Sequence, residues 1–265
     1  MRRVALVLAT MALAILLAGG VAQAVINGEP DRGPKSHSYV GAYVVKEGGK
    51  PFLACSGTLI SPKVFLTAGH CTEVEVKKNL PAYVSFDPTY KPGASKLIKG
   101  TPYTHPKFCF TGKEGCPRIG DALTRYDAGV VVLKEPVRMA TYGALPDAGL
   151  VDTLQKGQRL TTVGYGLRTF DPSGGERYRA TVNFLNSNPP VGAMFLRTSG
   201  FRGIGQGGEG TCSGDSGGPL FLPDQETIVG VTSFSSKSRI TGLCRQPFFQ
   251  RVDLPRVLKW VRSFP

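Results

Sequence analysis

Gly210-Thr211-Cys212-Ser213-Gly214-Asp215-Ser216-Gly217-Gly218-Pro219-Leu220 places one serine, Ser216, between glycines on a tight turn. A turn of this kind exposes a hydroxyl and aims backbone N–H groups at a developing oxyanion. Far upstream, Leu66-Thr67-Ala68-Gly69-His70-Cys71 sets a histidine beside a cysteine, as expected of a general base in a covalently braced site. Between the two segments, Asp127 opens the apolar run Ala128 to Leu133.

The order His70, Asp127, Ser216, with each residue among its expected neighbours, resembles the chymotrypsin-like (trypsin fold) serine proteases across nearly all of residues 25–265. Gly214-Asp215-Ser216-Gly217-Gly218 also satisfies the nucleophile elbow of α/β-hydrolases, but that triad needs a histidine after the serine, and none follows Ser216. Taken alone, His70 would read as a satisfied core histidine. Beside Cys71 and the serine turn it reads as a base, whereas His37 and His105 lack such a context. Asp127 is preferred over Asp87 and Asp121 because it alone directly precedes an apolar strand.

The resemblance implies the roles. His70 takes the proton of Ser216, Asp127 fixes the imidazole tautomer and stabilises the imidazolium, and the N–H groups of Gly214 and Ser216 form the oxyanion hole. Each such donor is worth roughly 3 to 4 kcal/mol of transition-state stabilisation. Asp215 is implied to pair with a freed N-terminal amine, and Val25-Ile26-Asn27-Gly28 resembles the family's mature start. Ser233 matches the segment that supports the aspartate and pairs with substrate backbone, and Phe234 stands where tryptophan is common. Two small departures are Gly69 and Gly129, where alanine is usual.

Primary specificity is implied by Gly210, six residues before the nucleophile, where an aspartate marks cleavage after Lys or Arg. Trypsin-type cleavage is therefore not expected. Thr211, Ser213, Thr232 and Ser235 make a hydroxyl-rich wall, and two pockets fit. Phe248 and Phe249 favour an apolar one; Lys237, Arg239 and Arg245 favour one that takes Asp or Glu. The balance leans slightly to apolar.

Residues 1–24 carry Arg2, Arg3, an apolar core from Val4 to Ala18 and Ala22-Gln23-Ala24, the pattern of a secretory signal peptide with cleavage before Val25. The apolar core is short against the roughly 20 residues of a spanning helix, so no transmembrane anchor is expected. Export alone would then expose the activating amine, with no further propeptide. Six cysteines in an exported chain favour disulfides over metal ligation. The resemblance implies Cys55 with Cys71 and Cys212 with Cys244, which leaves Cys109 with Cys116 as a staple on a short insertion.

Strand-like runs at Val40–Val45, Cys55–Ile60, Val64–Ala68, Ala128–Leu133, Leu160–Val163 and Ile228–Thr232, separated by Gly, Pro, Asn and Asp, predict an all-β fold. The expected architecture is two antiparallel β-barrels, chymotrypsin-like, about 25–145 and about 146–252. A C-terminal α-helix of about 253–263, capped by Asp253, would pack on the second barrel. Net charge is +13, or +11 without Arg2 and Arg3, which would draw the protein toward anionic surfaces or polymers. The charges are dispersed, so no specific nucleic-acid partner is expected. The reading is a secreted, monomeric serine endopeptidase acting on polypeptides, with no cofactor and no metal.

Overall fold

The computed structural model describes residues 25–33, 36–113, 115–116, 122–166, 175–187, 189, 191–200, 208–237 and 244–265. The signal-peptide reading of residues 1–24, Asp121 and Arg239 lie outside them. The first half contains β1 (Glu29–Pro30), β2 (Val40–Glu47), β3 (Lys50–Leu59), β4 (Val64–Thr67), helix α1 (Gly69–Lys77), β5 (Ala82–Ser85), β6 (Thr89–Tyr90), β7 (Ile98–Thr104), β8 (Cys109–Phe110), β9 (Thr124–Arg125) and β10 (Gly129–Leu133). The second contains β11 (Arg159–Gly164), β12 (Gly175–Glu176), β13 (Tyr178–Asn186), β14 (Phe195–Thr198), β15 (Pro219–Phe221), β16 (Ile228–Lys237), β17 (Cys244–Arg251) and helix α2 (Pro255–Val261).

β10, β4, β3, β2, β5 and β7 close one antiparallel barrel. β13, β11, β15, β16, β17 and β14 form the second, closed by β14 returning to β13, with β1 added outside β13. Every expected strand is present, because each short apolar run bounded by turn residues can bury one face in a barrel. The interior of the first barrel is tight. A Cβ on Gly57 would sit 2.4 Å from the Phe65 ring, so the glycine makes room for the phenylalanine.

Three features depart from the sequence reading. β1 joins the second barrel's sheet through Glu29↔Arg179 and Pro30↔Tyr178, although its chain position placed it with the first. α2 begins at Pro255 with no side-chain cap. Asp253 is instead fully buried, accepting from Val151 N at 2.9 Å and from Arg251 Nη2 at 2.8 Å, because a buried carboxylate is better matched by a guanidinium than by helix amides. Finally, α2 leans on the first barrel: Trp260 meets His105 edge-on at 5.1 Å, and Phe264 lies 5.1 Å from Tyr103. The apolar face of Val257 and Val261 thus joins a core that runs from the first barrel into the second, through Ile228, Val231 and Val252.

The halves are also joined by buried polar groups. Arg177 on the second half donates to Asp31 at 2.8 Å and to the carbonyl of Val40, and Tyr165 donates to the carbonyl of Asp87 at 2.8 Å. His37 is buried between Asp31 and Gln225 at 2.9 Å from each, a structural role in keeping with its sequence context. Among the described residues no helix is long and apolar enough to cross a membrane.

Candidate active site

The site is assembled at the seam between the barrels. β4 ends at Thr67 and turns directly into α1, an element the sequence reading did not foresee because its β-branched Thr72, Val74 and Val76 resemble strand. α1 has no side-chain cap of its own. Its early N–H groups are therefore open to an acceptor from elsewhere. Asp127 supplies it, taking the His70 N–H on Oδ1 at 2.8 Å while its Oδ2 lies 2.9 Å from His70 Nδ1. One carboxylate thereby caps the helix and orients the imidazole that the helix carries.

Asp127 is fully buried. Ser233 Oγ donates to Oδ2, and the backbone N–H of Asp127 donates to Gln250 Oε1 at 2.9 Å. Burial pushes the carboxyl up, but the charge and hydrogen bonds of His70, helped by Ser233, outweigh it and hold Asp127 below its ordinary value. His70 shows the reciprocal effect: burial lowers it, the neighbouring Asp127 carboxylate raises it more, and the net direction is upward. Gln250 was invisible to the sequence reading, since no local pattern marks a residue that accepts from the Asp127 backbone N–H across a sequence separation of 123.

Ser216 is held by both barrels. Its carbonyl accepts from Ser56 N on β3 at 2.8 Å, and the next N–H, of Gly217, donates to Thr232 O on β16 at 2.7 Å. A Cβ on Gly217 would sit 2.1 Å from Thr67 Oγ1 and 2.8 Å from Ala68 N, so the serine turn lies on the end of β4, just ahead of His70. Among the described residues the hydrogen bonds of His70 run to Asp127, and none reaches Ser216 Oγ. Such contacts commonly tighten only when substrate is bound.

Gly214 has φ +89°, a left-handed conformation open to glycine at little cost, and its carbonyl is pinned by Ser56 Oγ at 3.0 Å. Among the described residues the N–H groups of Gly214 and Ser216 have no acceptor, as an oxyanion hole requires. Asp215 points the other way, into a fully buried pocket where Gly166 N, Cys212 N and Val25 N donate at 2.8, 2.9 and 3.2 Å. Gly164 and Gly166 leave space for it: a Cβ there would lie 2.3 and 2.8 Å from Asp215 Oδ1. With only neutral amides around it, burial pushes Asp215 up to about 6.

The three disulfides are Cys55–Cys71, Cys109–Cys116 and Cys212–Cys244. The donor atoms of Cys55, Cys71 and His70 cluster closely, but both sulfurs are spent on each other, leaving one imidazole and no metal-binding set. Cys212–Cys244 joins the serine segment to β17. Gly210 is bound to Ile26 by a two-way bridge of 2.8 and 3.3 Å, and Ser235 Oγ donates to the Thr211 carbonyl at 3.2 Å, so segments 210–213 and 232–235 run side by side. Ser213 is exposed. Phe234 is half-buried, stacked on Phe248 at 5.0 Å and edge-on to Phe195 at 5.2 Å.

The register of β17 is settled by Phe249↔Thr232, Phe248↔Phe234 and Pro247↔Ser235. Phe249 is fully buried in the second barrel's core, and Phe248 packs with Phe195 and Phe234. Both phenylalanines that favoured an apolar pocket are thus committed elsewhere. The hydroxyls of Thr211 and Thr232 are buried with no hydrogen-bond partner.

Two closed barrels with a terminal helix, and a histidine, aspartate and serine gathered at their seam, are the architecture of the chymotrypsin-like serine proteases. Residues 25–261 match the family model described as Trypsin, and the chain belongs to that family of serine-type endopeptidases. It is 28% identical over 222 residues to a trypsin of Saccharopolyspora erythraea, covering 79% of this chain and 86% of that protein. It is 26% identical to chymotrypsin-like elastase family member 1 of Canis lupus familiaris, covering 82% and 83%. The venom serine protease Bi-VSP of Bombus ignitus is 26% identical over 73% of this chain, which spans 55% of that longer protein. Among solved structures, HL collagenase superposes with a TM-score of 0.66 at 18% identity over 90% of this chain and 97% of its own. A mutant of human heparin binding protein gives 0.59 at 19% identity, over 91% and 96%.

Proposed function

We propose that this chain is a secreted endopeptidase in which Ser216 attacks the scissile carbonyl, His70 takes and later returns the proton, and Asp127 holds the imidazole. The acyl-enzyme is then hydrolysed by water. The observation that carries this reading is the doubly bonded His70–Asp127 pair, with Ser216 fixed on the same seam and two N–H groups unengaged beside it. A fluorophosphonate serine probe tests it. Labelling and peptide hydrolysis by the protein, both abolished in Ser216→Ala, are expected; hydrolysis that survives in Ser216→Ala would overturn the assignment.

In the full chain the Val25 nitrogen is a peptide N–H, 3.2 Å from Asp215 Oδ2. Cleavage after Ala24, as the signal-peptide reading requires, converts that group into an ammonium at the same place. We take Val25 and Asp215 as the activation pair on this ground. N-terminal sequencing of the secreted protein should begin at Val25, and a variant that retains one extra residue should be much less active.

Gly210 at the pocket base argues against cleavage after Lys or Arg. With Phe248 and Phe249 packed into the second barrel, the apolar reading of the pocket loses its aromatic wall, which favours a side chain that hydrogen-bonds, such as Asp, Glu, Asn or Gln. Profiling a peptide library decides this. Cleavage confined to Leu, Phe or Val sites would restore the apolar pocket.

A further inference from the structure

The inserted loop stapled by Cys109–Cys116 reaches the reaction centre through Thr124. β8 and β9 form a small hairpin with Phe110↔Thr124 and Cys109↔Arg125 in register, and Thr111 N donates to Leu123 O at 3.0 Å. The disulfide ties Cys109 of β8 to Cys116. Phe108, at the hairpin's entry, lies against α1: a Cβ on Gly69 would come within 2.9 Å of its ring. Glycine beside His70, a departure from the alanine usual there, is what lets the insertion settle on the helix. The hairpin thus carries Thr124 into the seam, where it is 3% exposed and its Oγ1 lies 3.1 Å from Ser233 Oγ.

Counting protons fixes the direction of that bond. The ionised Asp127 carboxylate can only accept, so the single proton of Ser233 Oγ is committed to Asp127 Oδ2. Ser233 Oγ is then the acceptor toward its other neighbour, and Thr124 Oγ1 must donate. The groups form one directed chain, Thr124 to Ser233 to Asp127, meeting the donation from His70 Nδ1 at the same carboxylate oxygen. Each donation in such a chain polarises the next hydroxyl and strengthens its bond.

Building on the triad reading above, we propose that Thr124 is a positioning residue for catalysis: by donating to Ser233 it strengthens the Ser233–Asp127 bond and so fixes the carboxylate that orients His70. Thr124→Val keeps the volume and removes the donor. Ser233 then donates less strongly, the charge on Asp127 is less dispersed, and His70 becomes more basic. The other charge acting on His70 is Glu73 on α1, which this change leaves in place.

The expected result is a fall in kcat of about 2- to 10-fold, the loss due to one neutral hydrogen bond, with KM changed less. The acid limb of the kcat/KM profile moves to higher pH. Thr124→Ser restores both, and Thr124→Ala, which removes the donor with less volume, gives the same acid-limb shift. In a Ser233→Ala background, Thr124→Val produces no further shift. An unchanged acid limb with a change only in KM would overturn the proposal, as would a Thr124→Ser variant no better than Thr124→Val. Ser216→Ala, measured alongside, separates the two claims: if it is inactive while Thr124→Val matches the parent, only the role of Thr124 falls.

Discussion

Two carboxylates of this molecule are equally buried and equally hydrogen-bonded, yet they are driven in opposite directions. Asp127 and Asp215 are both fully shielded from solvent, and each accepts three hydrogen bonds. Asp127 is held below the ordinary carboxylate range, whereas Asp215 is pushed up to about 6. Geometry and burial are alike, so the difference lies in the chemistry of the donors. Asp127 faces an imidazole that can hold a positive charge, and Asp215 faces peptide N–H groups that cannot. Dipoles alone do not offset the desolvation of a buried anion; a cation does. On the proposed cleavage before Val25, the amine freed there would supply the cation that the Asp215 pocket lacks.

The largest test of this contrast is Asp127→Asn. It removes the charge and imposes the wrong imidazole tautomer, so kcat should fall on the order of 10⁴-fold, as in the triad template of related proteases. The acid limb should also move to lower pH, because His70 loses the charge that raises it. Steady-state kinetics across pH measures both; a small loss would mean that Asp127 is only a helix cap.

Asp215→Asn is the matching change at the other carboxylate. In protein beginning at Val25 it leaves the buried amine without its partner, at a cost of about 3–5 kcal/mol, and kcat/KM is expected to fall on the order of 10²- to 10³-fold. In protein that keeps one residue ahead of Val25 the same change should matter less than about tenfold. Equal losses in both backgrounds would show that the amine is not the partner.

pH dependence of stability separates the same two forms by sign. With Val25 still in a peptide bond, the folded state keeps a proton on Asp215 that the unfolded chain releases above its ordinary carboxylate value. Its stability should then fall as pH rises from about 4 through about 6, by up to about 3 kcal/mol. Once the amine is free, Asp215 is held ionised, and its contribution is lost as pH falls instead. Thermal melts between pH 4 and 7 should thus slope in opposite directions, and parallel slopes would break the comparison.

The smallest expected effects come from the glycines around the two sites. Gly164→Ala would place a Cβ 2.3 Å from Asp215 Oδ1 and should destabilise by about 1–3 kcal/mol. Gly69→Ala meets the Phe108 ring at 2.9 Å and the Ala128 carbonyl oxygen at 3.1 Å; the ring can turn aside and the carbonyl need give little, so its cost should stay at about 1 kcal/mol. Chemical denaturation ranks them; the reverse order would mean that the Asp215 cradle is the more yielding of the two.

What could be read from the chain follows from the range of the interactions concerned. The serine turn, the histidine segment and the apolar strands are local patterns, and each stands where its residues imply. The disulfide partners came through resemblance, and the structure has the same pairs. Features decided by distant partners were not legible. Asp253 has the composition of a helix cap but is claimed by Arg251 and Val151. The terminal helix displays an apolar stripe with nothing to say which barrel covers it. Phe248 and Phe249 could be assigned to pocket or core only once the register of β17 against β16 was known. Gln250 accepts from Asp127 N, and Thr124 meets Ser233, both across the seam, and no spacing rule reveals such contacts.

Ser216 hangs from one hydrogen bond to each half of the molecule, to Ser56 on one side and, through Gly217, to Thr232 on the other. A chain with only one half folded holds its nucleophile but has nowhere to put it. Opening either half would remove one of these two tethers, so the seat of Ser216 on the end of β4 reports on the integrity of both halves at once.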